Sequence, residues 1–268
     1  MTTVTLRDTG VVDTRIPNGV NSNSNFGTEN FLGMSRASSG AVKRSLLKFP
    51  IPVPGGVVTV SNAVLKLHNN DAVGSTAIVE VRRLLSDFVL LEATWNKRNT
   101  STNWNVAGAL TGTDVDATVI ATGVSPTTAE TQFDLSGAGF TQYVQDVMNG
   151  SADYGIIASL VSDLSYDGEA RRHSSSRDPT ATKRPTLVLE YTAMSVSASI
   201  GDVSVDRTDG TATVPVTLSG PAPVGGVTVN YATQDDTATA PAYYTAATGT
   251  LTFAEGESTK NVTVSITP

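Results

Sequence analysis

The chain contains no cysteine and only two histidines among its 268 residues. Disulfide bonds and thiolate metal sites are therefore excluded. Neither His68 nor His173 lies in a nucleophile or metal-binding motif. Its serine-rich loops lack an accompanying base motif, so they do not indicate a hydrolase. The sequence predicts a protein that is not an enzyme.

Charged residues are also scarce, at 16% of the chain, against about a quarter in an average globular protein. The net charge of −7 argues against nucleic acid as a partner. Long apolar runs are missing, so we expect no membrane insertion. The segment that follows Met1 has neither the basic nor the apolar region of a signal peptide. Two interpretations of this start are open: the protein reaches its place without general secretion, as a virion protein does, or Met1 begins a recombinant fragment.

Threonine, serine, valine, alanine and glycine fill most of the chain, and apolar and polar residues alternate in short runs. This alternation is typical of half-buried β-strands. One stretch breaks the period, because Phe140, Tyr143, Val144 and Val147 recur at helical spacing before Gly150. The pattern predicts one short helix over residues 140–148. Strands are predicted at residues 2–6, 11–14, 44–49, 57–67, 77–84, 115–121, 131–135, 154–160 and 185–191.

The composition of the sequence changes near Thr192. After this point, threonine- and valine-rich strands alternate with turns of glycine, proline and aspartate. We therefore predict an all-β protein with two β-sandwich domains in series. Residues 1–191 form the first, a jelly-roll-like sandwich with one short helix. Residues 192–194 are a linker, and residues 195–268 form an immunoglobulin-like sandwich.

Both tryptophans of the chain, Trp95 and Trp104, stand in one loop rich in asparagine, threonine and serine. Aromatic faces pack against the C–H faces of sugar rings, which makes both residues candidates for glycan binding. The alternative is that a tryptophan fills the core beneath the loop.

A basic cluster follows later in the chain, and guanidinium groups pair well with carboxylates. Arg171, Arg172 and Arg184 are therefore candidates for binding the uronate groups of an acidic polysaccharide. The alternative is a solvated loop in which these cations pair with neighbouring acids. The cluster also includes Arg177 and Lys183, with Arg82 and Arg83 as further members, and the neighbouring acids are Asp167, Glu169 and Asp178.

Two groups of aspartates offer oxygen ligands of the kind that a hard cation requires. Asp114, Asp116 and Asp134 form the first, and turn carboxylates bonded to backbone N–H groups are the commoner interpretation. The second lies in the tail, and its candidate calcium ligands are Asp206, Asp235 and Asp236, beside Asp202 and Asp209. We expect no cofactor, with Ca²⁺ in the tail as the alternative.

Several short motifs in residues 1–191 resemble the DNRLRE-domain family, β-sandwich modules related to carbohydrate-binding modules. The resemblance implies a sandwich fold and, for some members, binding of acidic polysaccharides such as alginate. The chain departs from the family at Phe49-Pro50 and at His173. The matching motifs are Asp13-Thr14, Asn25-Phe-Gly27, Arg44-Ser-Leu-Leu-Lys-Phe49, Ala63-Val-Leu-Lys-Leu67, Ala93-Thr-Trp-Asn96 with Trp104 and Gly108-Ala109, Phe133-Asp-Leu135, Tyr154-Gly155 and Arg184-Pro185.

The tail resembles a Calx-β module through Gly226-Val-Thr-Val-Asn-Tyr231 and Gly249-Thr-Leu-Thr-Phe253-Ala-Glu-Gly256. The resemblance implies an immunoglobulin-like sandwich and, in some members, Ca²⁺ between the end loops. Here Tyr243 stands where the family has an aspartate before a tyrosine, which disfavours a calcium site.

Two functions fit these features. The first is a non-catalytic structural protein of a phage virion, a capsid decoration or tail or fibre component on the virion surface, with glycan adhesion. Its partners are further copies of itself or other virion proteins. The alternative is a pair of binding modules from a secreted, extracellular protein that binds or degrades polysaccharides.

Overall fold

The computed structural model describes residues 1–36, 40, 42–54, 57–109, 112–161, 171–193, 196–223 and 226–268. The chain divides into two compact units, Met1–Val53 with Thr59–Thr192, and Pro54–Val58 with Ala193–Pro268. Residue 194 of the predicted linker and residue 195 lie outside the described residues.

Eleven strands and one α-helix build the first part of the chain, and the strands join into one sheet. They are β1 (Thr2–Leu6), β2 (Val12–Pro17), β3 (Phe31–Arg36), β4 (Val42–Lys48), β5 (Val58–Asn69), β6 (Ala77–Arg83), β7 (Ala121–Ser125), β8 (Thr131–Ser136), α1 (Ala138–Met148), β9 (Ile156–Leu160), β10 (Arg171–Ser174) and β11 (Thr186–Ala193).

The strand order is β1-β11-β5-β10-β3-β4-β9-β6-β7-β8, with β2 paired to β4. Since β8 also pairs with β5, the sheet returns on itself and becomes barrel-like. This closure places the inward residues of β5, such as Leu65 and Leu67, in the core, while Lys66 between them pairs with Asp134 outside. The predicted all-β class is confirmed.

The predicted helix is confirmed as α1, the only α-helix in the described part of the chain. Its buried side chains are those whose spacing predicted it, including Phe140, Tyr143 and Val147. Gly150 follows with φ 99°, a conformation that glycine adopts without strain. Within the described ranges, no helix is long and apolar enough to cross a bilayer.

The sequence did not predict three of the strands, β3, β7 and β10. The strand predicted at residues 115–121 is wrong. Only Val115 in that segment forms a bridge, with Leu84, and β7 begins at Ala121. Asp116 explains the break, because its Oδ1 accepts a hydrogen bond of 2.9 Å from the N–H of Thr118. Such an aspartate turn competes with strand pairing.

The second unit contains two small sheets around an apolar core. The three-stranded sheet has the order β12-β13-β16 and the other pairs β14 with β15, where the strands are β12 (Ala198–Ile200), β13 (Thr211–Leu218), β14 (Val227–Ala232), β15 (Thr248–Phe253) and β16 (Thr259–Ser265). The core consists of Val216, Leu218, Ala222, Phe253 and Val262.

Candidate functional site

Trp104 lies in an apolar core of the first unit that is separate from the inward residues of β5. This loop core forms where the long loop between β6 and β7 packs on β2, β4 and β9. The side chain is 3% exposed, and its Nε1 donates a hydrogen bond of 2.9 Å to the carbonyl of Thr94. Leu46 and Ile157 belong to the same core. Because both ring faces are covered, Trp104 cannot act as the glycan-stacking residue considered above. It fills the core beneath the loop.

Trp95, in contrast, is half-buried at the edge of this core. The guanidinium carbon of Arg44 lies 4.9 Å from its ring centroid, and Arg44 Nη1 donates a 2.7 Å hydrogen bond to the carbonyl of Gly108. A Cβ atom at Gly108 would lie 2.5 Å from the Trp95 ring. The bare backbone of Gly108 therefore lets this ring take its place beside Arg44.

A groove of about 330 Å³ adjoins Arg44. The strand register places Glu80 opposite Ser159 and Arg82 opposite Ile157, so the side chains of β6 and β9 share one face there. Part of this face is covered by the loop that carries Trp104, and the groove is the part left open. Its lining includes Ser35, Arg44, Glu80, Arg82, Val115 and Ser159.

The groove is rich in hydrogen-bonding groups. Arg82 Nη1 pairs with Glu80, and Arg82 Nε donates a 3.2 Å hydrogen bond to the carbonyl of Ala117. Ser159 Oγ donates to Glu80 Oε1 at 3.3 Å. Ser35 is 6% exposed, and its Oγ has no hydrogen-bond partner among the described residues. Since buried hydroxyls are usually satisfied, this atom is suited to a ligand hydroxyl in the groove.

The predicted basic cluster does not exist as one surface, because Arg171 is completely buried. Its Nη1 donates hydrogen bonds to the carbonyl of Pro126 (3.1 Å) and to Ser125 Oγ (3.4 Å), and its Nη2 donates to the carbonyl of Ser75. As a glycan-binding residue Arg171 is therefore corrected to a core residue that joins β10 to two loops.

Arg172 and Arg184 lie apart from it. Arg172 points away from Arg171 on the same strand, and 58% of its side chain is exposed. Arg184 donates from Nη1 to Asp8 at 2.8 Å and from Nε to the carbonyl of Asp178 at 2.7 Å.

The other members of the cluster have acidic partners. Arg177 lies 3.3 Å from Asp13, Lys183 contacts Glu130, and Arg83 lies 3.9 Å from Asp146. Asp167 and Glu169, the acids expected to pair with the cluster, lie outside the described residues.

Sequence reasoning missed two buried ionisable groups beside β10, Asp13 and His173. Burial raises the pKa of Asp13 to about 6, although hydrogen bonds from Ser176 and the charge of Arg177 act in the opposite direction. Burial, together with the charges of Arg171 and His68, lowers the pKa of His173 to about 3. Only the folded sheet buries these two groups, so the local sequence gave no signal of them.

Acidification is expected to destabilise the protein through His173. Its folded pKa of about 3 lies below the ordinary 6.5, so the unfolded chain takes up a proton first and stability falls as pH drops from 6.5 towards 3. Urea unfolding at pH 7 and pH 4 should show the wild type losing about 3 kcal/mol more than His173→Gln.

The comparison isolates His173 because both chains carry Asp13. The raised pKa of Asp13 changes stability in the opposite direction. Its contribution to the free energy of unfolding is fully present below pH 3.8 and is lost as pH rises through about 6. Equal losses in the two chains would contradict a buried, uncharged His173.

The three aspartates of the first acidic group occupy separate places. Asp114 accepts a hydrogen bond from the N–H of Asn105, Asp116 is bonded to Thr118, and Asp134 pairs with Lys66. The contacts of Asp114 and Asp116 are those of turn carboxylates bonded to backbone N–H groups, the commoner interpretation given above, whereas Asp134 forms an ion pair.

The acids of the tail are also engaged locally. Asp235 Oδ1 accepts hydrogen bonds from Tyr244 Oη (2.6 Å) and from the N–H of Ala240 (2.9 Å). Asp206 and Asp209 cap one short 3₁₀ turn reciprocally. Asp236 is exposed. The residues that the structure describes contain no group of three potential metal ligands, and the absence of a calcium site in the tail stays a prediction.

A partly exposed tryptophan beside a polar groove, on a barrel-like sheet, is an arrangement typical of a binding module. The family model of carbohydrate-binding module family 96 matches residues 5–191, and the chain belongs to this family. Residues 191–268 match the Calx-beta domain, an immunoglobulin-like β-sandwich, so the predicted fold of the tail is confirmed. No curated protein matches the chain.

Family membership indicates a carbohydrate-binding protein with a polysaccharide partner and an extracellular or surface location. Both matched modules are non-catalytic. The match supports the predicted relation to carbohydrate-binding modules and the Calx-β resemblance, while the DNRLRE name stays a prediction.

Proposed function

We propose that the protein binds an acidic polysaccharide in the groove beside Trp95. The observation that carries the proposal is the stack of Arg44 on Trp95, which holds a guanidinium group of the groove lining beside a partly exposed ring. Aromatic rings pack on the C–H faces of sugars, and guanidinium groups bind carboxylates with directed hydrogen bonds. One site thus offers contacts for both parts of a uronate residue.

The lining residues have distinct roles in this proposal. Arg44 and Arg82 attract the anionic groups, and Arg82 is held in place by Glu80. Ser159 and Ser35 offer hydroxyls to those of the sugar. Glu80 neutralises part of the positive charge of Arg82. The groove therefore accepts both the hydroxyl and the carboxylate of a uronate and does not select for negative charge alone.

Replacement of Arg82 is the direct test. We expect Arg82→Ala to weaken binding of alginate or polygalacturonate oligosaccharides about tenfold, the effect of one lost charge-assisted hydrogen bond. Isothermal titration calorimetry measures the affinity. Arg83→Ala is the matched control, because Arg83 is the next residue of β6 and lies near Asp146 and Tyr143 instead of the groove.

The two variants separate binding from folding. We expect Arg83→Ala to keep the wild-type affinity, whatever its effect on the melting temperature. Equal affinity in the wild type and Arg82→Ala would place the polysaccharide elsewhere and end the proposal for the groove.

A second candidate function is that of a structural protein of a phage virion, in place of a module of a secreted polysaccharide-binding protein. We infer that a virion protein of this composition attaches through its first domain, which has the tryptophan loop and most of the arginines, and displays its threonine-rich tail. A chain truncated after Tyr191 should then still join its oligomer or particle. A monomeric full-length chain that binds acidic polysaccharide favours the secreted module.

A further inference from the structure

Three cationic side chains converge on Gly33, in β3. Arg172 of β10 is its cross-strand partner. A Cβ atom at Gly33 would lie 3.1 Å from Cδ of Arg15 and 3.6 Å from Cδ of Lys43. The bare glycine therefore allows the stems of two cations to lie over the strand, and the third stands directly beside them.

Two phenylalanines hold the guanidinium groups in place. The guanidinium carbon of Arg15 lies 3.8 Å from the ring centroid of Phe26 and 5.0 Å from that of Phe31. Arg172 lies 5.2 Å from the Phe31 ring on the same strand pair. Phe26, Arg15, Phe31 and Arg172 thus form an alternating stack, the guanidinium ladder. Cation–π contacts fix the orientation of such groups and leave their edges free to donate.

Among the residues that the structure describes, positive charge exceeds negative charge at the ladder. Glu29 accepts hydrogen bonds from Arg15 at 2.8 and 3.1 Å, while Asp71 lies 3.8 Å from Nε of Arg172, beyond a hydrogen bond. The pKa of Lys43 is lowered by burial and then by the charges of Arg15 and Arg172. In a chain of net charge −7, this concentration of cations is unusual and favours an anion.

We propose that the guanidinium ladder and Lys43 form a second binding surface, which takes the carboxylate or sulfate groups of an anionic polysaccharide. This inference rests on the proposed polysaccharide binding but concerns another surface. Lys43 and Arg44 are neighbours on β4 and point to opposite faces of it. Neither Lys43 nor any residue of the ladder is among the described residues that line the groove, so the two surfaces use different side chains.

A polysaccharide suits this surface better than an acidic peptide. A peptide that adds as a strand needs an open sheet edge. Around Gly33 the backbone is already engaged, because β3 pairs with β10 and the carbonyl of Gly33 accepts a 3.2 Å hydrogen bond from Ser45 Oγ. Arg172 is exposed, and the other cations and both rings are partly buried beside it. Guanidinium donors held next to one another in this way suit anionic groups repeated along a chain.

The test compares short oligosaccharides of dextran, dextran sulfate and polygalacturonate at fixed ionic strength. We expect Arg172→Gln to weaken binding of at least one anionic oligosaccharide about tenfold, and Arg172→Gln with Lys43→Gln to weaken it further. Uncharged dextran should show no dependence on either substitution. Lys260→Gln, which removes the same charge from β16 in the second unit, is the control.

The two anionic arms distinguish sulfate from carboxylate as the preferred group. Because 58% of the Arg172 side chain is exposed, the single variant keeps its fold, which a circular dichroism melt checks. Wild-type affinity for both anionic oligosaccharides in the double variant would overturn the inference, even where Arg82→Ala loses binding and the groove proposal stands. The reverse pattern, with only the ladder variants impaired, supports the ladder and contradicts the groove.

Discussion

Trp104→Ala is expected to lower the free energy of unfolding of the first domain by about 3–5 kcal/mol, the range for truncating a large buried aromatic side chain. The ring is 3% exposed and packs with Leu46 and Ile157 in the core beneath the loop between β6 and β7. Its removal also leaves the carbonyl of Thr94 without the indole N–H. Urea unfolding followed by far-ultraviolet circular dichroism measures the loss.

Trp95→Ala is the matched control, because the same residue type stands in the same loop. Trp95 is only half-buried and lies at the edge of this core. We expect it to cost about 1–2 kcal/mol, in proportion to the smaller area removed from contact, and to weaken polysaccharide binding. A larger loss of stability for Trp95→Ala than for Trp104→Ala would contradict the assignment of the two rings.

Arg171→Ala should destabilise the first domain by about 3–5 kcal/mol, although arginine is usually a surface residue. The side chain is fully buried and donates to the carbonyls of Ser75 and Pro126. Alanine would remove these hydrogen bonds between β10 and the two loops and open a cavity beside His173. Thermal and chemical unfolding should both show the loss.

Arg172→Ala provides the comparison for this effect, since it removes the same group from the next residue of β10. Because the Arg172 side chain is largely exposed, we expect a loss below about 1 kcal/mol. Similar losses in the two variants would mean that Arg171 does not hold the loops to the sheet.

The periodicity of the sequence was sufficient for most elements of the fold. Alternation marked β5, β6 and β8, and the spacing of Phe140, Tyr143 and Val147 marked α1. It failed at β10, where an arginine and a histidine occupy the inward positions. Polar residues inside a barrel-like sheet break the alternation that identifies a strand.

The site was less predictable. Trp95 and Trp104 share one polar loop, and nothing local distinguishes the ring that is buried from the ring that is half-exposed. The outward residues Glu80 and Arg82 follow from the strand period of β6, but the serines and arginine that complete the groove come from β3, β4 and β9. Long-range pairing alone brings them together.

The amino-acid sequence by itself determined the all-β class, the single helix and the two family resemblances, because strand and helix periods and turn motifs are local properties. Tertiary structure decided which cations remain available. Arg171 and Arg172 are adjacent in sequence, yet opposite faces of β10 place one in the core and the other over Phe31. The free energy of a buried charge depends on distant partners, which only the closed sheet supplies.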